Sequence, residues 1–91
     1  MSITVRFTPE SMTAAKYDEC IRRLAQAGAG APKGRLYHVC YGNADALGVL
    51  DVWESSESFD AFGQTLMPIL QELGIDPGTP EVSQLHNVIP G

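Results

Sequence analysis

Two side chains in this sequence ask for chemistry: His38 and Asp51. They lie in RLYHVCYGNADALGVLDVWES, residues 35–55, which reads as two apolar strands joined by a turn. A carboxylate beside an imidazole fixes the ring tautomer and poises it as a base. Such a base removes a proton from a phenol or hydroquinone, and the resulting anion is electron-rich enough to react with dioxygen directly. The same two groups also make sense as a hydrogen-bonded polar pair that aligns two subunits, because buried polar groups need partners whatever their function. Both readings stand at this point.

Gly42-Asn43-Ala44-Asp45 supplies the turn residues, and so short a connection dictates an antiparallel hairpin. With Ala44-Asp45 as the two-residue turn, Leu36 faces Trp53, His38 faces Asp51 and Cys40 faces Val49, all on one side of the sheet. The other side carries Tyr37, Val39, Tyr41, Gly48, Leu50 and Val52, an apolar set that suits a covering layer of helices. In the first strand, Ile3, Val5 and Phe7 alternate with Thr4, Arg6 and Thr8, which leaves Arg6 on the uncovered side with His38 and Asp51. Arg6 then either neutralises an anionic substrate or pairs with Asp51. Trp53 either stacks on an aromatic ligand or anchors an interface. Leu36 and Cys40 complete the lining, and Cys40 doubles as a nucleophile only if a neighbour stabilises its thiolate. His86 is expected in a tail or dimer contact. Cys20 is read as helix core, on the far side of the sheet from Cys40 and so not its disulfide partner. Tyr37, Tyr41, Phe59 and Phe62 are read as core.

The elements that must position these groups follow from the pattern. Pro9 ends the first strand. Thr13 is the N-cap of a first helix, with Met12 and Tyr17 as its hydrophobic staple and Tyr17, Cys20, Ile21 and Leu24 on one face. Gly28 stops it. Ser55 or Ser56 caps a second helix whose stripe is Phe59, Phe62, Leu66, Ile69, Leu70 and Leu73. Pro68 interrupts that stripe and removes the hydrogen bond to the Gln64 carbonyl, so a kink or break is expected near Gln64–Met67. A last strand runs from Glu81 to Ile89. The order β-α-β-β-α-β gives an α+β, ferredoxin-like fold: a four-stranded antiparallel sheet with both helices on one face. The other face has no helix left to cover it. An apolar sheet face does not stay wet, so a second copy stacked on it, in an isologous homodimer, is the expected cover.

Ninety-one residues make one domain, residues 1–91, large enough to bury only roughly 60–65% of its unfolded surface. With 44% hydrophobic and 19% charged residues the chain is globular rather than disordered. A net charge of −5 and six scattered basic residues argue against nucleic acid. No apolar run approaches the ~20 residues of a membrane span, and MSITVRF lacks the apolar core of a signal peptide. Two cysteines without CxxC spacing suggest reduced thiols in a cytoplasm. Two histidines and two cysteines so dispersed offer no zinc spacing.

These segments, in order, resemble a known family. MT-x3-YD (Met12-Thr13 to Tyr17-Asp18) is followed by LYHV, LDVWES, an L-x-PIL-x-ELG helix and a final HNVI. Together they are similar to small bacterial proteins of the dimeric α+β barrel superfamily, relatives of the antibiotic-biosynthesis monooxygenase domains. VWES leading into an F-x2-F helix matches that family's third strand and second helix. The resemblance covers nearly the whole chain. It implies a homodimer whose two sheets form a barrel, with a hydrophobic aromatic or polyketide-like ligand. Known members of the family include cofactor-independent monooxygenases; read from the residues themselves, a site of that kind here would use His38 as base, Asp51 as its orienter, and Arg6 and Trp53 to position substrate. The family also includes haem-degrading members, in which His38 or His86 would be the ligand here, and members with no known activity; the alternative for this chain is a non-catalytic ligand-binding or structural dimer.

Overall fold

The computed structural model describes residues 1–91. The elements are β1 (Ile3–Phe7), α1 (Ala14–Gln26), β2 (Arg35–Asn43), β3 (Ala46–Trp53), α2 (Ser56–Glu72) and β4 (Glu81–Gln84). They form one four-stranded antiparallel sheet in the order β2-β3-β1-β4, with the two helices packed on it. This is the ferredoxin-like α+β arrangement. No helix is long and apolar enough to cross a membrane.

The local signals act as their chemistry dictates. Thr13 caps α1 by accepting from the Lys16 amide, and Ser55 caps α2 by accepting from the Ser58 amide. Gly28, with φ of 78°, ends α1 in the left-handed region. Ala44-Asp45 forms the hairpin tip, since Asn43 pairs with Ala46. The tip is also anchored to α1. The Ala14 amide donates to the Ala44 carbonyl at 2.7 Å, and the Leu47 amide donates to the Met12 carbonyl at 2.8 Å. One orphan amide of the helix start is thereby satisfied by the hairpin.

Two elements differ from expectation. α2 continues through Pro68 to Glu72 without a break; its apolar stripe, with Phe62 and Leu70 buried, holds it on the sheet against the lost hydrogen bond. β4 stops at Gln84 rather than Ile89. It pairs with β1 only from Ile3 to Arg6, so the chain beyond has no strand left to pair with.

The largest correction concerns the faces of the sheet. β1 pairs with β3 so that Ile3 opposes Trp53, Val5 opposes Asp51 and Phe7 opposes Val49. Directly opposed residues share a face. Asp51, Trp53 and Val49, and with them His38 and Cys40, therefore point toward the helices alongside Val5. Tyr37, Val39 and Tyr41 occupy the open face with Leu50, Thr4 and Arg6. Tyr37 and Tyr41 are exposed, not core. Both faces of this hairpin are apolar enough to be buried, so apolarity alone could not say which one the helices cover.

The core lies between the sheet and the helices. Val5 and Trp53 are its fully buried residues, surrounded by Ile3, Met12, Cys20, Leu24, Val49, Phe62, Leu70 and Ile75. Trp53 packs on Phe59 and Phe62, with ring centroids 5.8 and 5.2 Å away. It is thus a core residue of this subunit, not an exposed interface anchor.

Candidate active site

His38 and Asp51 are cross-strand partners, as the hairpin turn dictates. The His38 Nδ1–H donates to Asp51 Oδ1 at 2.5 Å. A carboxylate can only accept, so this bond places a proton on Nδ1, and in the neutral ring Nε2 is left a lone pair. That lone pair is taken. The Tyr17 hydroxyl, from α1, donates to Nε2 at 2.7 Å, and the two rings lie nearly parallel, 5° apart. The result is a phenol–imidazole–carboxylate chain that runs from the helix layer into the sheet. The Asp51 side chain is only 5% exposed and that of His38 22%.

Burial raises the Tyr17 phenol, pushing its pKa up to about 12; the nearby Cys40 and Asp51 add to the rise, and the Arg35 guanidinium opposes it. A standing phenolate on Tyr17 is therefore disfavoured. Burial likewise raises the Cys40 thiol, against a pull the other way from the Tyr17 hydroxyl. A thiol so placed is a poor nucleophile.

The chain opens into a cavity of about 60 Å³ between the sheet and the helices. Tyr17, His38 and Asp51 line it together with Phe7, Met12, Cys20, Ile21, Leu24, Val49, Phe62, Leu66, Leu70 and Ile75. Arg35 is the one Lys or Arg in the lining. The site thus combines an apolar wall with a few convergent polar groups, the usual makeup of a small-molecule pocket. The Trp53 indole N–H is buried nearby without a hydrogen-bond partner.

The expected site residues are therefore divided. His38, Asp51, Trp53 and Cys40 lie on the helix side of the sheet. Arg6 does not join them: it opposes Leu50 on the open face. Leu36 does not oppose Trp53. A β-bulge between Arg35 and Tyr37 gives that place to Arg35, and Leu36 is 57% exposed. Cys20 and Cys40 both border the core, contrary to their expected placement on opposite sides of the sheet, and both are free thiols. His86 is exposed beyond β4. No group of three or more His, Cys, Asp or Glu gathers where a metal could be held. Sequence reasoning missed Tyr17 and Arg35. The signal for Tyr17 was its hydroxyl, which needs a partner once a core-facing helical position buries the ring.

No family model and no curated protein matches the sequence. Solved structures do match its shape. SnoaB, a cofactor-independent oxygenase from Streptomyces nogalater, superposes with a TM-score of 0.63 at 16% identity, over 99% of this chain and 96% of that one. A provisionally assigned antibiotic biosynthesis monooxygenase from Chloroflexus aurantiacus J-10-fl gives 0.68 at 14% identity, over 99% and 98%. A similarly assigned protein from Deinococcus radiodurans gives 0.64 at 14% identity, over 99% and 97%. At such identities the likeness speaks for the backbone. This chain has the ferredoxin-like α+β fold of the antibiotic biosynthesis monooxygenase-like proteins.

Proposed function

We propose that residues 1–91 form one monooxygenase-like unit that binds a hydrophobic aromatic or polyketide-like molecule between its sheet and its helices. We further propose that it oxidises this molecule without a metal or flavin. The observation that carries this reading is the Tyr17–His38–Asp51 chain opening into an apolar cavity. The oxygenase described for SnoaB, on the same fold, supports it.

Both nitrogens of His38 are engaged, so a ligand meets the Tyr17 oxygen first. As a substrate phenol gives its proton to Tyr17, Tyr17 gives its own to His38 Nε2, and the imidazolium formed is held against the Asp51 carboxylate. No free phenolate accumulates on Tyr17, in keeping with its raised pKa. The substrate anion then reacts with dioxygen. For an activated ring methylene the balance is R₂CH₂ + O₂ → R₂C=O + H₂O. The substrate supplies all four electrons, one oxygen atom enters the product and the other leaves as water.

The open face of the sheet, with Tyr37, Val39 and Tyr41 exposed, is proposed to be covered by a second copy in a homodimer resident in the cytoplasm.

One observation favours a rival reading. The cavity is well below the ~150 Å³ that admits a single benzene ring, so ligand binding requires side chains such as Met12, Ile21 or Leu66 to move apart. A non-catalytic dimer, in which the buried chain only orders the core, needs no such opening. Thermal-shift and oxygen-consumption assays with hydroquinones, naphthoquinols, anthrones and flavonoids separate the two. The oxygenase reading expects a ligand that stabilises the wild type and is oxidised, with turnover falling about 10²–10⁴-fold in a folded His38→Ala or Tyr17→Phe. If no compound binds and His38→Ala only destabilises the fold, the architectural reading holds instead.

A further inference from the structure

Arg35 is where strand alternation is broken. In regular alternation position 36 would oppose Trp53 and face the helices, as 38 and 40 do. The bulge instead sends Leu36 outward and sets Arg35 opposite Trp53, on the cavity side. Bulges re-aim side chains, and they are common beside binding sites. The one re-aimed here is a cation.

Arg35 takes part in none of the ion pairs of this chain. Its guanidinium carbon lies 5.8 Å from the centre of the Phe62 ring, and its one hydrogen bond goes to the Gly30 carbonyl at a long 3.3 Å. A guanidinium has five N–H donors in a fixed fork, so most of them remain unclaimed. The only carboxylate in the lining, Asp51, already receives the His38 proton. The cavity therefore has an acceptor chain at one place and an unneutralised cation at another.

We propose that the bulge in β2 installs Arg35 as an anion receptor, so that the preferred ligand is an aromatic compound bearing a carboxylate besides its phenolic hydroxyl. This rests on the cavity being the ligand site and adds to it the charge of the ligand. The ring lies along Phe62 and the apolar wall, its hydroxyl meets Tyr17, and its carboxylate meets the Arg35 fork.

The test compares 6-hydroxy-2-naphthoate with its neutral amide, 6-hydroxy-2-naphthamide. Each is titrated calorimetrically into wild type, Arg35→Gln and Arg35→Lys, with amide NMR shifts to locate the binding and circular dichroism to confirm the fold. The expected result is at least about tenfold tighter binding of the acid by wild type, the gain of one charge-assisted contact. Arg35→Gln should erase that preference by weakening the acid far more than the amide, and Arg35→Lys should keep part of it and show its salt dependence. Equal affinity for acid and amide in wild type, with shifts at cavity residues, overturns the role of Arg35 and leaves the cavity reading standing. A preference that survives in Arg35→Gln does the same. If neither probe shifts cavity residues, the cavity reading fails and this inference falls with it.

Discussion

At the scale of single residues, the site depends on a tyrosine whose proton is hard to remove. In a Tyr37→Phe/Tyr41→Phe background Tyr17 is the only tyrosine, and its ultraviolet titration should be centred near pH 12 rather than 10. The sign follows from linkage. The folded pKa lies above the unfolded one, so the stabilisation is whole below about pH 10 and is lost as pH rises toward 12. A midpoint near 10 in the folded protein would remove the case for a phenol shielded from water. Asp51 is the other sensitive point. Asp51→Ala strands an imidazole N–H that had a carboxylate partner and should cost about 1–3 kcal/mol in urea unfolding. Asp51→Asn keeps an acceptor oxygen and should cost less, while still impairing the proposed oxidation. Trp53→Ala leaves a large void beneath Phe59 and Phe62, with an expected loss of about 3–5 kcal/mol, enough to unfold much of a domain of ordinary stability.

At the scale of elements, Pro68 is the feature to test. Its helix stands because the apolar stripe outweighs one missing hydrogen bond, so Pro68→Ala should raise the melting temperature, by an amount set by up to about 3 kcal/mol. An unchanged melting temperature would mean that the turn before Pro68 has already found other partners. The elements were legible from turn and cap residues: Thr13, Gly28, Ala44-Asp45 and Ser55 do what their side chains and φ angles dictate. The pairing of His38 with Asp51 was legible for the same reason, because a two-residue turn sets the register. The face of the sheet was not. It depends on Val5 opposing Asp51, a long-range pairing that leaves no trace in either strand's alternation. The bulge that exchanges Leu36 for Arg35 was equally hard to read, since Gly34 before it, with φ of 90°, passes as an ordinary loop residue ending the turn into β2. Arg6 and Leu36 were expected at the site for these two reasons, and Tyr17 and Arg35 were passed over.

At the scale of the whole molecule, the exposed tyrosines and Val39 predict association. Analytical ultracentrifugation should find a dimer, and Val39→Asp should yield a monomer with unchanged helix content. A wild type that stays monomeric at high concentration would leave the open face without its proposed cover. The surface that would join two copies and the cavity that would hold the ligand lie on opposite sides of one sheet. Tyr17, Arg35, His38 and Asp51 all come from the same chain. A dimer built this way would place a Tyr17, Arg35, His38 and Asp51 set in each subunit. Co-expressing wild type with His38→Ala should therefore give activity in proportion to the fraction of intact chains. In genetic terms, an inactivating lesion at His38 would be recessive, because a damaged copy cannot poison the partner it binds.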